Sequence, residues 1–402
     1  MTLATPTRQR IHGGAAGALL DFSVDVNPFD PPESVRATIL SSLEAIRRYP
    51  DPQAQRLRQA VADVHHLPME SILPANGSAE LIPLLTQALR PRTALVIAPT
   101  FTEYEWALDQ VGADIRYVVS READGFCWPE TLEGWLPPLD GIDVVWLCNP
   151  NNPTGVAVSG ERLLALAARC EETRTVLVVD EAFVEWSEAP EQISVADAVP
   201  RFTQLIVLRS LTKLFAIPGL RVGYLLASPT LVERLRAHQS AWPLNTFAID
   251  VGAQVVTETA YVARCRRLIR QAVEHCAAGL RGLPGLRPFP SDANFILCKL
   301  TTSSLSSSEL CARLAQQGCA VRTCDDFTGL EPGRFIRIGV RTPEDNARLI
   351  AALHNILATG DAARSHSLRA SCEPKANCLS PEAAGEATRQ DPWPVKESQN
   401  AR

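Results

Sequence analysis

The stretch Leu205-Ile206-Val207-Leu208-Arg209-Ser210-Leu211-Thr212-Lys213 joins a continuous apolar run to a group of polar side chains. Three similar apolar runs precede it, at residues 94–97, 144–147 and 176–179. A helical pattern at residues 161–172 separates two of them. Continuous apolar runs that alternate with helices predict a mainly parallel sheet that helices cover on both faces. We therefore predict an α/β fold with its large domain built on such a sheet.

The composition favours an ordinary enzyme over a nucleic-acid or membrane protein. The chain has 402 residues, 46% of them hydrophobic and 21% charged, with a net charge of -6. No broad positive field attracts nucleic acid or anionic lipid, and no apolar stretch approaches the ~18 residues of a membrane span. The first ten residues are polar and lack the apolar centre of a secretory signal, so we expect a cytoplasmic protein.

The cysteines predict neither a disulfide framework nor a metal centre. Their number is odd, 11, and no Cys-x-x-Cys unit repeats. Cys372 and Cys378, with His366 nearby, are a weak metal signal in a polar tail.

Helical and strand patterns divide the chain. Residues 33–48 form one predicted helix, with Val35, Ile39, Leu43 and Ile46 on one face. Later patterns predict helices at 229–241, 251–280, 308–317 and 343–357, and strands at 294–300 and 334–340. We predict an N-terminal arm that also joins a small domain, a large domain, a C-terminal small domain and a disordered tail, at residues 1–46, 47–250, 251–360 and 361–402.

Polar or aromatic residues follow each of the four apolar runs. Phe101 comes after the first run, and Asn149, Asp180 and Ser210 come after the others. Because ligands bind beyond the carboxyl ends of strands in such sheets, we expect these residues to share one site.

Lys213 and its neighbours suggest a phosphorylated aldehyde cofactor. A lysine amine can form a Schiff base with a carbonyl group, and Ser210 and Arg221 can bind a phosphate. Gly77, Ser78 and Ala79 open a predicted helix, where free N–H groups also suit a phosphate. Ser-x-x-Lys is common by chance, and Ser78 could simply cap its helix.

Three further residues fit a cationic aromatic ring. Asp180 ends an apolar strand, where a buried carboxylate needs a cationic partner such as a pyridinium N–H. Asn152 could donate to the ring's oxygen, and Phe101 could stack on the ring. Each also has an ordinary interpretation, as a helix cap, a turn residue and a core aromatic, respectively. Tyr104 is a weaker stacking candidate.

Together these motifs resemble the fold-type I pyridoxal-phosphate enzymes of the class I and II aminotransferase family, over residues 12–357. The resemblance implies an aspartate aminotransferase-like fold with a seven-stranded sheet and a smaller α+β domain. It implies that Lys213 binds pyridoxal 5'-phosphate covalently and Asp180 pairs with its ring nitrogen. Asn152 would contact the phenolic oxygen and Phe101 the ring. The phosphate would contact Gly77, Ser78, Ala79, Ser210 and Arg221.

The same resemblance implies a homodimer with shared sites, because Tyr49 matches a tyrosine that reaches the partner subunit's phosphate. The nearest branch includes threonine-phosphate decarboxylases and histidinol-phosphate aminotransferases. Phe183 stands where the aminotransferases usually carry a tyrosine, and the lead His12-Gly13-Gly14 resembles the decarboxylases. The stretches at residues 321–330 and 335–338, which contain Arg322 and Arg337, also resemble the C-terminal signature of the decarboxylases.

Arg337 would bind the substrate carboxylate, and Arg322 and His12 its phosphate, with Gly13, Asn27 and Asn152 also near the substrate. Two departures from the branch are a short segment between Gly14 and Leu20 and Asp25 in place of the usual asparagine. A negative charge near a doubly phosphorylated site would be unfavourable unless it points away.

The resemblance therefore implies decarboxylation of L-threonine O-3-phosphate to (R)-1-amino-2-propanol O-2-phosphate, a precursor of cobalamin. The alternatives are a histidinol-phosphate aminotransferase and a non-catalytic protein that retained the fold.

Overall fold

The computed structural model describes residues 12–15, 17, 19–302 and 305–370. Its strands are β1 (Leu20–Asp21), β2 (Ile72–Ala75), β3 (Thr93–Ala98), β4 (Asp114–Val119), β5 (Val144–Cys148), β6 (Val176–Asp180), β7 (Leu205–Ser210), β8 (Gly223–Ala227), β9 (Leu286–Pro288), β10 (Phe295–Leu300), β11 (Cys319–Ala320), β12 (Arg322–Thr323) and β13 (Phe335–Gly339). Its α-helices are α1 (Glu33–Ser41), α2 (Gln55–His65), α3 (Ser78–Leu89), α4 (Thr102–Gln110), α5 (Gly160–Thr173), α6 (Pro190–Ile193), α7 (Pro229–Arg236), α8 (Thr246–Val255), α9 (Thr259–Arg281), α10 (Ser307–Gln316) and α11 (Pro343–Ala370).

A seven-stranded sheet forms the centre, in the order β2-β8-β7-β6-β5-β3-β4. The strands are parallel except β8, which runs antiparallel to both β7 and β2. Every residue of β5 and β6 is buried, as expected for strands covered on both faces. The predicted α/β fold with a mainly parallel seven-stranded sheet is therefore confirmed.

The helix between β5 and β6 shows how the sequence covers this sheet. In α5, Leu163, Leu166, Ala167 and Cys170 recur at helical spacing and are buried. The Ser159 side chain caps the helix by accepting a hydrogen bond from the backbone N–H of Arg162. The cap starts the helix directly after the loop that carries Asn152.

Residues 286–339 contain a smaller antiparallel sheet, in the order β12-β13-β10-β9. Its register places Arg322 of β12 directly opposite Arg337 of β13. The N-terminal segment joins this region, because β1 pairs in parallel with β11 through Leu20 and Cys319.

The predicted helix at residues 33–48 is wrong in its second half. Helix α1 ends at Ser41, and a 3₁₀ helix follows at Leu43–Arg47. The Ser42 hydroxyl donates to Asp250 of α8, 2.6 Å away, which fixes the break. As a result Ile46 is 59% exposed rather than part of a buried face.

Three other helix predictions differ in extent. The single helix expected at 251–280 is two helices, α8 and α9, and α7 stops at Arg236 rather than at residue 241. Helix α11 continues to Ala370, past residue 360, where a disordered tail was expected to begin. Cys372 and Cys378 lie outside the described residues, and the domain boundaries stay a prediction. Among the helices described, none has the length and apolar character needed to cross a bilayer.

Candidate active site

A cavity of about 320 Å³ opens at the carboxyl edge of the central sheet. Strands β5, β6 and β7 end at this cavity, and β12, β13 and the N-terminal segment border it from the other side. Most of the residues predicted for the site line it: His12, Gly13, Ser78, Ala79, Phe101, Asn152, Asp180, Ser210, Lys213, Arg221, Arg322 and Arg337. Folding thus brings together residues from both ends of the chain.

Lys213 lies in the turn after β7 and points its amine into a buried environment. Its Nζ is 4.0 Å from the centre of the Phe183 ring. Burial lowers the pKa of Lys213, while the carboxylates of Asp180 and Asp25 raise it. A lowered pKa increases the neutral fraction of the amine, which is the nucleophilic form.

Asp180, the last residue of β6, is a buried carboxylate held by two hydrogen bonds. Tyr104 donates its hydroxyl to Oδ2 over 2.7 Å, and the backbone N–H of Ala182 donates to Oδ1 over 3.0 Å. Burial raises the pKa of Asp180, while Lys213 and these hydrogen bonds lower it. The Tyr104 ring is in turn stacked on Trp146, with centroids 4.9 Å apart. The carboxylate is therefore rigidly placed to accept a cationic N–H.

An anion cradle forms where α3 begins. Gly77 precedes the helix with φ +79, a conformation that favours glycine. A Cβ atom on Gly77 would lie 2.5 Å from Nη2 of Arg221. Ser210 shares a 2.9 Å hydrogen bond with Thr212 on the same side of the cavity. The helix N-terminus, the guanidinium and the hydroxyl groups together suit a phosphate.

Arg322 and Arg337 enter the cavity side by side from paired positions of β12 and β13. Each has a carboxylate partner within the protein. Asp326 receives two hydrogen bonds from Nη2 of Arg322, at 2.9 and 2.7 Å. Asp25 lies with Oδ2 2.9 Å from Nη2 of Arg337. These partners offset the repulsion between two adjacent cations.

The N-terminal segment that contains His12 and Gly13 borders one side of the cavity. His12 is half exposed, with Nε2 3.3 Å from Oε1 of the buried Glu103. Gly13 passes so close to Ser23 that an added Cβ would lie 2.1 Å from the Ser23 carbonyl oxygen. Only glycine fits there.

The family model for aminotransferases of class I and II matches residues 18–353.

The chain belongs to the class I and II aminotransferase family.

Within that family the chain is similar to enzymes of two activities. It is 36% identical to the threonine-phosphate decarboxylase of Salmonella typhimurium, over 84% of this chain and 91% of that protein. The L-threonine-O-3-phosphate decarboxylase structure from Porphyromonas gingivalis superposes with a TM-score of 0.75 at 26% identity, over 84% of this chain and 99% of that one. The histidinol-phosphate aminotransferase structure from Clostridium acetobutylicum superposes with a TM-score of 0.78 at 26% identity, over 85% of this chain and 100% of that one.

Asn27 and Tyr49 of this aminotransferase family member do not line the cavity of their own chain. The Asn27 side chain donates to the carbonyl of Leu214 (2.7 Å) and to Tyr261 (3.0 Å), and its own backbone N–H donates to the carbonyl of Lys213 (2.9 Å). Asn27 therefore supports the Lys213 turn rather than facing a substrate. Tyr49 is 80% exposed on the surface and is stacked on Trp242, and its contact with the partner subunit's phosphate stays a prediction.

Two residues have roles in the site that the sequence did not assign. Tyr104 is predicted only as a weak stacking candidate, yet it is the hydrogen-bond partner of Asp180. Asp25, whose charge would be unfavourable unless it pointed away, lines the cavity and contacts Arg337. The position of Tyr104, one helical turn after Phe101, is a signal that could have placed it near the strand ends.

Proposed function

We propose that this class I and II aminotransferase family member decarboxylates L-threonine O-3-phosphate with pyridoxal 5'-phosphate, giving (R)-1-amino-2-propanol O-2-phosphate. The observation that carries the proposal is the pair of arginines at the cavity. Arg322 and Arg337 stand directly opposite each other on β12 and β13, both with guanidinium groups at the cavity. Two adjacent planar cations match a small substrate that bears two anionic groups, a carboxylate and a phosphate.

The residues of the site fit the cofactor. The cradle at Gly77, Ser78 and Arg221 suits its phosphate, and Asp180 offers an anion to the ring nitrogen. Lys213, with its pKa lowered by burial, suits covalent attachment through the amine. When bound, pyridoxal phosphate draws electrons away from the substrate's Cα, so that the bond to the carboxylate can break.

The protein's own groups would then determine which bond breaks. Arg337 on the carboxylate and Arg322 on the phosphate would fix the substrate at two points, so that rotation about its Cα–N bond stops in one orientation. The amine of Lys213, 4.0 Å from the centre of the Phe183 ring, can return a proton to Cα after carbon dioxide leaves.

Phe183 favours decarboxylation over transamination. The family resemblance associates this position with tyrosine in the aminotransferases, where the hydroxyl contacts the cofactor. Here the ring is buried, packs edge-on against Phe295 with centroids 5.0 Å apart, and contacts the Lys213 amine only through its face. It offers no hydrogen bond to a ligand.

Product analysis separates the two activities. We expect the holoenzyme to release carbon dioxide from L-threonine O-3-phosphate, with one equivalent of aminopropanol phosphate formed. With histidinol phosphate and 2-oxoglutarate, we expect glutamate formation at least roughly 100-fold slower, since orientation of the reacting bond contributes factors of this size. Faster glutamate formation than carbon dioxide release would assign the chain to the aminotransferases instead.

We also propose a homodimer in the cytoplasm. Leu40, Leu43, Ile46, Tyr49 and Trp242 are exposed apolar side chains from one end of α1 and nearby loops. Exposed apolar patches usually mark interaction surfaces, and the family resemblance brings Tyr49 to the partner subunit's site. The cysteines of the described part of the chain are free thiols, which is usual in a reducing compartment.

Light scattering tests the dimer. We expect twice the 43.8 kDa chain mass for the wild type, and a large monomer fraction for Ile46→Glu, because the new carboxylate would be buried in the interface. Val119→Glu is the matched control, since Val119 is an exposed valine on β4 and should leave the mass unchanged. A monomeric wild type at micromolar concentration would contradict the proposal.

A further inference from the structure

The contacts of Arg337 show that the nitrogen shared by both of its carboxylate-binding edges, Nη2, is already occupied, while Nε is buried without a hydrogen-bond partner. Its Nη1 donates to Oδ1 of Asn152 over 2.6 Å, and its Nη2 donates to the carbonyl of Ser23 over 2.9 Å. The same Nη2 is 2.9 Å from Oδ2 of Asp25. A guanidinium binds a carboxylate with two hydrogen bonds through either of two edges, and Nη2 belongs to both.

A substrate carboxylate therefore reaches Nη2 only by replacing one of these partners. The Ser23 carbonyl belongs to the backbone and cannot rotate away by itself. Asp25 contacts the guanidinium through a side chain, and its other oxygen, Oδ1, is buried without a hydrogen-bond partner. The Asp25 carboxylate is thus the more easily displaced of the two.

We infer that Asp25 is an internal substitute for the substrate carboxylate, a specificity-determining residue that occupies Arg337 in the empty site and yields it when a carboxylate ligand binds. The inference rests on the proposed function only in assigning Arg337 to the substrate carboxylate. It predicts that the pocket rejects weakly anionic ligands, because a ligand must compete with a carboxylate that is already in place.

The charges around Asp25 support an exchange. Arg337, Lys213 and Arg322 face this carboxylate, together with Asp21 from the same segment. Burial raises the pKa of Asp25, and Arg337 is the group that lowers it most. When a ligand takes Arg337, Asp25 loses that stabilisation and binds a proton more readily. Binding of a carboxylate ligand should therefore be accompanied by proton uptake.

Two unreactive ligands test the exchange on the holoenzyme. The first, 3-phosphoglycerate, carries a phosphate and a carboxylate, and the second, glycerol 3-phosphate, lacks the carboxylate; neither has an amine that could react. In Asp25→Asn the amide keeps the shape but not the charge. We expect calorimetry to show about tenfold tighter binding of 3-phosphoglycerate and less than about twofold change for glycerol 3-phosphate.

Asp21→Asn is the matched control. It removes a negative charge from the same segment, and the Asp21 carboxylate contacts Ser23 and Ala15 rather than Arg337. We expect an equal, small change for both ligands. Unfolding curves of both variants verify that the chain still folds.

Proton uptake gives the second measurement. Calorimetry in buffers of different ionisation enthalpy should show more protons taken up with 3-phosphoglycerate than with glycerol 3-phosphate in the wild type, and no difference in Asp25→Asn. Weaker binding of 3-phosphoglycerate to Asp25→Asn, or an equal change for both ligands, would overturn the inference. Failure of the decarboxylation itself would appear separately, as absence of carbon dioxide from L-threonine O-3-phosphate.

Discussion

Replacing Lys213 with alanine is expected to reduce decarboxylation by at least roughly 10²-fold, since proton transfer by a positioned side chain alone contributes about 10²- to 10⁴-fold. The variant also loses covalent attachment of the cofactor. The amine lies at the carboxyl edge of the sheet, 4.0 Å from the Phe183 ring centre, and among the residues that the structure describes no other lysine lines the cavity. Within that part of the chain, its replacement leaves no lysine amine at the site.

Absorption and trapping measure the loss independently of turnover. We expect the visible absorption band of the bound cofactor to disappear in Lys213→Ala, and borohydride to fix no cofactor on the peptide that contains position 213. Lys299→Ala is the matched control, because Lys299 pairs with Glu122 at 2.7 Å and lies outside the cavity. It should keep both the band and the activity.

Folding of Lys213→Ala should not be impaired. Burial lowers the pKa of Lys213, so the folded state gains little from holding the charged amine. An apo variant that unfolds much more easily than the wild type would attribute the loss of activity to misfolding. A variant that retained more than about 1% of the activity would place the covalent link elsewhere.

The cofactor side of the site could be predicted because its residues follow directly from strand order. Asp180 and Ser210 are the last residues of β6 and β7, and Phe101 comes shortly after β3. In a parallel sheet the carboxyl ends of strands meet at one edge. The positions of the apolar runs in the sequence are therefore enough to predict that these side chains lie close together.

The substrate side could be predicted as a set of residues but not as an arrangement. The family resemblance and the chemistry of the guanidinium group indicate Arg322 and Arg337, but their direct opposition depends on the register of β12 and β13, which the loop between them sets. The contact of Asp25 with Arg337 joins residues more than 300 positions apart, so no local pattern signals it. Tyr104 lies on α4, which packs against β3 and β4, and its side chain reaches across Trp146 of β5 to Asp180 of β6.

Replacing Asp180 with asparagine should have opposite effects on catalysis and on stability. We expect activity to fall by roughly 10²- to 10³-fold, because a preorganised anion facing the cofactor ring is lost. We expect the apo protein to become more stable at pH 7 by about 1–3 kcal/mol, because a buried carboxylate is replaced by a neutral amide. The amide can still accept from the N–H of Ala182 and donate to the Tyr104 hydroxyl.

The gain in stability should depend on pH in a defined direction. Burial raises the pKa of Asp180 above its unfolded value. A carboxyl group of this kind contributes most stability below the unfolded pKa, near 3.8, and loses it as the pH rises through the folded pKa. The advantage of Asp180→Asn in urea unfolding should therefore be largest at neutral pH and shrink on acidification.

The adjacent Glu181 provides the control with the opposite sign. It is also buried with a raised pKa, but Arg209 lies 2.9 Å away as an ion-pair partner, and Val195 and Ser194 donate hydrogen bonds to its oxygens. Glu181→Gln leaves the buried Arg209 with one fewer anionic partner, so we expect a loss of about 3–5 kcal/mol. If Asp180 had a structural role like that of Glu181, Asp180→Asn and Glu181→Gln would both be destabilised. A destabilised Asp180→Asn apo protein would therefore show that this carboxylate serves the fold rather than the cofactor.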